Sequence, residues 1–288
     1  MRICESVEQM RKARVLMRQD RRVGFVPTMG ALHEGHLSLV RAARARCETV
    51  IVSIFVNPLQ FGPNEDLAKY PRALERDCEL LEREKVDIVF TPSVDDMYPK
   101  NAVTYVTVEG MSEKLCGRSR PGHFRGVTTV VAKLFHIVEP ELAFFGQKDA
   151  AQCAIIRRMV RDLNFPVEIV VGPIVREPDG LAMSSRNAYL NPPERRSALA
   201  LYRALSEVKK CFDRGERNAA KLGEAGKQVL SQEPGARLDY LEVVDPDTLD
   251  PVPEIRSRTL VAVAAFVGGT RLIDNILLSP GNTHDVAP

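Results

Sequence analysis

Residues 23–36, VGFVPTMGALHEGH, decide the fold. Val23–Pro27 is a short apolar run closed by a proline, which reads as a buried strand. His36–Arg46 then sets Leu37, Val40 and Ala43 on one helical face. Gly30 permits a tight turn between the two. The same alternation continues downstream. Val50–Val56 is β-branched and almost wholly apolar, as a strand of a doubly covered parallel sheet should be. An Asn/Pro/Gly-rich loop, NPLQFGPNED, leads to a helix over Arg72–Lys85 with Leu74, Cys78 and Leu81 in register. Asp87–Thr91 and Leu142–Phe145 read as strands, Ala150–Leu163 as a helix and Val167–Val171 as a strand. Strand and helix in regular turn predict an α/β fold, a doubly wound parallel sheet with right-handed crossovers. Such sheets bind ligands beyond the C-terminal ends of their strands. The loops after Pro27, Val56 and Phe145 belong on that edge, and so does the loop after Val171 if its strand is parallel.

The pattern changes after about Arg176. A loop, EPDGLAMSSRNAYLNPPE, leads into helical stretches near 193–213 and 217–231, then strands over Asp239–Val244 and Leu260–Val267. We therefore expect a larger α/β domain over 1–175 and a smaller α+β domain over 176–288. The tail beyond Leu278, SPGNTHDVAP, is expected to be disordered. Over 288 residues the net charge is only +2, so no basic field points to nucleic acid or an anionic membrane. The apolar run Leu260–Val267 is strand length, far short of a membrane span. The first 22 residues lack an apolar core and cleavage site, so no signal peptide is expected. Six cysteines, at 4, 47, 78, 116, 153 and 211, form no C-x-x-C pair. They read as reduced thiols, mostly in the core, in a reducing compartment.

Two of the five histidines, His33 and His36, lie where the first strand hands over to a helix. Unpaired N–H groups and the positive end of the dipole make a helix N-terminus suited to phosphate. Gly35 lacks a side chain, so a flat base or ribose could approach there. Imidazoles facing the same space can stabilise charge growing on a five-coordinate phosphorus. A His-x-x-His metal pair would need further ligands, and His123, His136 and His284 show no matching spacing. Histidines that merely cap a helix remain the plain alternative. A Walker loop is excluded, because no lysine or hydroxyl follows the last glycine. Downstream, Met183–Ser184–Ser185–Arg186 offers two hydroxyls and a guanidinium, natural triphosphate ligands. With HxGH upstream, it resembles the second half of the nucleotidyl-transfer signature of class I aminoacyl-tRNA synthetases.

Five stretches, in order, carry a closer resemblance: GFVPTMGALHEGHLSLV, VSIFVNPLQFGPNEDLAKYPR, RPGHFRGVTTVVAKLF, FFGQKDAAQ and LAMSSRNAYL. Together they identify the chain as similar to the pantoate–β-alanine ligase family along nearly its whole length. The resemblance implies a Rossmann-like ATP-binding domain, a smaller C-terminal domain closing over the site, and a cytoplasmic homodimer. It implies ATP-dependent joining of (R)-pantoate to β-alanine through a pantoyl adenylate, giving pantothenate, AMP and diphosphate. By this resemblance Met29, Gly30, Ala31, Leu32, His33, Glu34, Gly35 and His36 line ATP. Gly146, Gln147, Lys148, Asp149, Val175, Met183, Ser184, Ser185 and Arg186 complete the nucleotide site. His36, His33 and Lys148 form the catalytic set, with a proton-donor role assigned to His36. A lysine at a helix start opposes the dipole, so Lys148 there calls for an anion nearby. Asp149 either caps its helix or binds ribose.

Gln60 and Gln152 are expected to hold pantoate, because amides both donate to and accept from hydroxyls. Phe61, Pro27 and Met29 would wall its dimethyl centre. Asn57 either fixes its loop or touches substrate, and His123 and Arg125 either gate the pocket or are structural. Gln147 and Ala151 depart from the commonest family pattern, which leaves the network around Lys148 open. No protein metal site is expected; Mg²⁺ would arrive on the ATP phosphates. The rival readings are a simple HxGH nucleotidyltransferase and a nucleotide-binding regulator. The pair Gln60 and Gln152 discriminates against the first, and His33 with Lys148 against the second.

Overall fold

The computed structural model describes residues 1–17, 22–63 and 65–281. Most of the tail expected to be disordered, from Asn282 on, lies outside the described residues. In chain order the elements of the first part are β1 (Arg2–Cys4), α1 (Val7–Val15), β2 (Val23–Thr28), α2 (Glu34–Arg46) and β3 (Thr49–Ile54). Then come α3 (Leu74–Arg83), β4 (Ile88–Phe90), α4 (Val94–Met97), α5 (Cys116–Ser119), α6 (His123–Val138), β5 (Leu142–Gly146), α7 (Ala150–Asp162) and β6 (Glu168–Gly172). The six strands form one parallel sheet in the order β1-β4-β3-β2-β5-β6. The winding reverses between β2 and β5. Their following loops therefore diverge there and leave a crevice at the C-terminal edge.

Alternation along each strand sorts side chains to the two faces. Val26, Val52, Val89 and Phe144 pack with Leu39, Val40 and Ala43 of α2 and Leu81 of α3. Phe25, Ile51, Phe90 and Phe145 face the opposite way, onto α1, α6 and α7. Both faces are thus covered, which is why these strands are continuously apolar. On α3 the expected register is corrected at one position. Leu74 is 47% exposed, and the buried stripe carries Asp77 and Leu81 instead.

The second part contains α8 (Pro192–Asp213), α9 (Ala219–Ser231), β7 (Ala236–Val244), β8 (Thr259–Val267) and β9 (Thr270–Leu278). The strands form an antiparallel sheet in the order β7-β8-β9. Val261, Val263 and Ala265 of β8 pack on α8 and α9. Its alternate residues Leu260, Ala262 and Ala264 join the core of the parallel-sheet part. The small sheet is therefore an apolar layer between its own helices and the rest of the molecule. The sequence patterns mark neither β9 nor α6.

Candidate active site

The turn after β2 is built by a buried acid. Gly30 (φ 84°) and Ala31 (φ 50°) are both left-handed, a costly conformation for alanine. Asp77, only 1% exposed, accepts hydrogen bonds from the Ala31 and Leu32 amides at 2.8 Å each. Burial lifts its pKa above the ordinary carboxylate value against the pull of those amides. The carboxylate thereby fixes the strand-to-helix handover.

The two histidines then cap α2 reciprocally. The helix begins at Glu34, not His36, with His33 at the N-cap. Nδ1 of His33 accepts from the Gly35 amide at 3.1 Å, and Nδ1 of His36 accepts from the His33 amide at 3.3 Å. This is a capping box written in imidazoles. Capping and ligand binding are compatible here, because each ring uses only one nitrogen. Since Nδ1 accepts, the proton of each neutral ring sits on Nε2, available as a donor. Burial, reinforced by Lys148, depresses His33 to about 4. Burial, then His33 and Lys148, depresses His36 to about 3. Both rings, with centroids 4.1 Å apart, are neutral at pH 7. The side-chain direction at Gly35 points at the His33 ring, while Gly35 itself lines the cavity described below. A Cβ there would lie 2.9 Å from that ring.

His33 and His36 line a cavity of about 220 Å³ in the crevice between β2 and β5. Met29, Gly35, Asn57, Gln60, Gly146, Lys148, Asp149, Gln152, Val175 and Met183–Arg186 line the same cavity. It adjoins a larger one of about 830 Å³, walled on its far side by β8 and β9, which shares Lys148, Asp149, Gln152, Ser184 and Arg186. Five residues of the expected nucleotide set do not line either. Gly30 and Ala31 form the turn, Leu32 is core, Glu34 pairs with Arg41, and Gln147 turns its amide onto Asn275. Asp149 occupies the N-cap position of α7 but makes no side-chain capping bond, so its carboxylate is left to the cavity.

Elsewhere in the lining, Asn57 is buried and its Nδ2 donates to Gln60 Oε1 at 3.1 Å and to the Gly126 carbonyl at 3.0 Å. Its Oδ1 accepts from the Tyr98 hydroxyl at 2.8 Å. Gln60 Nε2 approaches the Met29 sulfur at 3.0 Å. Asn57 thus orients the Gln60 amide. His123 donates from Nδ1 to the Gln60 carbonyl at 2.8 Å, while its Nε2 faces Arg120 at 3.0 Å. Burial and then Arg120 depress it to about 4. Arg125 lies apart, stacked on Tyr105 at 3.7 Å. Pro27 and Met29 wall the cavity as expected. Phe61 does not; it packs edge-on against Tyr70, and α6 supplies Val127, Val130, Val131 and Leu134 instead.

The Met183–Arg186 loop crosses to the first loop through Ser185, whose hydroxyl donates to the Ala31 carbonyl at 3.1 Å. Arg186 forks Asp66 through two bonds of 2.9 Å, so its guanidinium already has an anion. Arg120 likewise forks the neighbouring Glu65, at 2.7 and 2.6 Å. Sequence reasoning misses Asp77, Glu65, Asp66 and Arg120. Only Asp77 has a local signal, an acid in the buried stripe of an amphipathic helix.

Residues 2–277 match the Pantoate-beta-alanine ligase family. The chain belongs to the pantoate–β-alanine ligase family. It is accordingly an ATP-binding ligase of pantothenate biosynthesis. A pantothenate synthetase of Koribacter versatilis is 60% identical over 286 residues, covering 99% of this chain and 98% of that protein. One of Thermotoga neapolitana is 60% identical over 279 residues, covering 96% of this chain and all of that one. Among solved structures, a Thermus thermophilus pantothenate synthetase superposes with a TM-score of 0.92 at 48% identity, over 96% of this chain and 99% of that one. The Francisella tularensis ligase, solved with beta-gamma ATP and β-alanine, gives a TM-score of 0.80 at 35% identity, over 96% and 97%. In this family the doubly wound sheet with its small antiparallel sheet is therefore the shared architecture.

Proposed function

We propose that this ligase works in two displacements within the crevice between β2 and β5. A carboxylate oxygen of (R)-pantoate attacks the ATP α-phosphorus, diphosphate leaves, and pantoyl adenylate forms. The deprotonated amine of β-alanine then attacks the acyl carbon, and AMP leaves as the amide bond of pantothenate forms. The observation that carries this reading is one cavity lined by two kinds of group. Two neutral imidazoles and Lys148 line it together with the Asn57-oriented amide of Gln60. The first step brings an anion to a polyanion, so donors preset for growing phosphate charge are what it requires.

His33 and His36 act first as hydrogen-bond donors to the transition state through Nε2–H, beside the proton-donor role that the family resemblance assigns to His36. Lys148 supplies a point charge, and Gln60 and Gln152 hold the pantoate hydroxyls. Asp149, free of capping duty, is available to the ribose. Arg186 reaches the phosphates after leaving Asp66. Among the described residues no three His, Cys, Asp or Glu converge as a metal cage. Mg²⁺ would come in on the phosphates of ATP, where it would neutralise charge. Beyond these roles, the reading includes a division near Val175, a smaller C-terminal domain that closes over the site, and a homodimer in the cytoplasm. Among the described residues no helix is long and apolar enough to cross a membrane.

The test is ATP–diphosphate exchange. It should require pantoate and proceed without β-alanine. Exchange driven equally well by unrelated carboxylic acids would overturn the assignment of the Gln60 wall.

A further inference from the structure

The loop that carries Lys148 is held from outside its own sheet. Asn275, on β9 of the small antiparallel sheet, is 2% exposed. Its Nδ2 donates to the carbonyls of Gln147 at 2.9 Å and Lys148 at 3.0 Å, and its Oδ1 accepts from Gln147 Nε2 at 3.0 Å. Every polar atom of that amide side chain is engaged on two consecutive residues. Among the described residues the Lys148 ammonium, by contrast, has as its carboxylate neighbour only the loosely placed Asp149, at 4.0 Å. Its position in the cavity therefore depends on where the backbone at 147–148 is pinned. The preceding residue, Asp274, is also buried and forks Arg176 at 2.6 and 2.9 Å. Arg176 stands at the base of the turn in which the Met183 amide bonds the Val175 carbonyl at 3.0 Å. One dipeptide of β9 thus touches the supports of the Lys148 loop and of the Met183–Arg186 loop.

We propose that Asn275 is a positioning residue for the adenylation step, acting through the main chain of Lys148. The inference rests on the reading of Lys148 as the cation that meets the phosphates. Removing the Asn275 amide leaves two carbonyls without their donor and lets the loop relax. A displacement of about 1 Å can cost on the order of a hundredfold in rate. The geometry also explains Gln147, whose side chain serves this clamp and not the nucleotide.

A double-mutant cycle tests it by pantoate-dependent ATP–diphosphate exchange. Asn275→Ala should lower the exchange rate at saturation roughly 10- to 100-fold while the KM for pantoate stays within about twofold. In a Lys148→Ala background the same change should cost less than about threefold. A full, additive loss in that background would mean Asn275 serves the fold alone, and the proposal fails while the role of Lys148 stands. Should Lys148→Ala by itself leave exchange intact, the reading of Lys148 falls, and the proposal with it. Gln147→Ala guards against an Asn275 variant that does not fold. It removes the bond that orients the Asn275 amide and should lower the rate in the same direction by a smaller factor. Unchanged exchange in Gln147→Ala and Asn275→Ala would equally overturn the proposal.

Discussion

Two of the loops proposed to face the nucleotide are prepared in opposite ways. The loop after β2 is complete in itself: Asp77 ties its turn, and His33 and His36 cap α2 while keeping one N–H each for a ligand. The Met183–Arg186 loop has its cation occupied, because Arg186 is forked onto Asp66. One half is preset, and the other must exchange a carboxylate for a phosphate. Preorganised donors act at full strength from the first contact. A paired arginine gives up one partner to gain another, so its contribution is a difference between two ion pairs.

The largest effect should come from the preset half. His36→Ala or Lys148→Ala should lower pantoate-dependent exchange by about 10²- to 10⁴-fold with the circular dichroism unchanged. A variant with near-full turnover would break the comparison at that residue. Next comes Asp77→Ala, which strands two buried amides. Denaturant unfolding should report a loss of about 3 kcal/mol. If stability held, the turn would not depend on that carboxylate.

Acid should also weaken the preset half. His33 and His36 have folded pKa values of about 4 and 3. An unfolded histidine titrates near 6.5. Below about 6.5 the unfolded chain therefore binds more protons, so stability falls as pH drops toward the folded values. Above about 6.5 these groups contribute no pH dependence. Each adds a slope of up to about 1.4 kcal/mol per pH unit within the window. His33→Asn, which keeps a good N-cap residue, should flatten unfolding curves measured between pH 7 and 5. Equal slopes would mean that His33 is not held neutral.

The smallest effect belongs to the exchanging half. Asp66→Asn removes the anion that competes for Arg186 and should lower the KM for ATP by a few-fold, since Arg186 exchanges one ion pair for another and only their difference appears in binding. A raised KM would make Asp66 part of the binding surface and not a competitor.

Much of this is legible along the chain. The strands after Val23, Val50 and Leu142 announce themselves through apolar runs, and HxGH at a strand end marks the turn whose histidines line the cavity. β1 is three residues long and too short to carry a period. In β9 the pair Asp274 and Asn275 interrupts the apolar alternation, and the residues that hide the strand are the ones that brace the site. The wall of α6 has a clear helical stripe, Val127, Val130, Val131 and Leu134, but the motif before it overshadows that signal. Arg186 and Asp66 lie 120 residues apart, and Asp77 and Ala31 lie 46 apart. No local rule pairs residues at such separations; only the folded chain does. The shift of α2 to Glu34 follows from the same limit, since helix boundaries depend on which side chain takes the cap.

Gly126 adds a consequence of its own. A methyl group at that position on α6 would sit 2.2 Å from the Leu59 carbonyl oxygen, so the helix and the Pro58–Gln60 turn meet backbone to backbone. The shelf that carries Gln60 is already seated as low as two main chains can approach. The depth of the cavity at Gln60 is therefore set by bare peptide groups, and variation in what it admits has to come from the side chains around the rim.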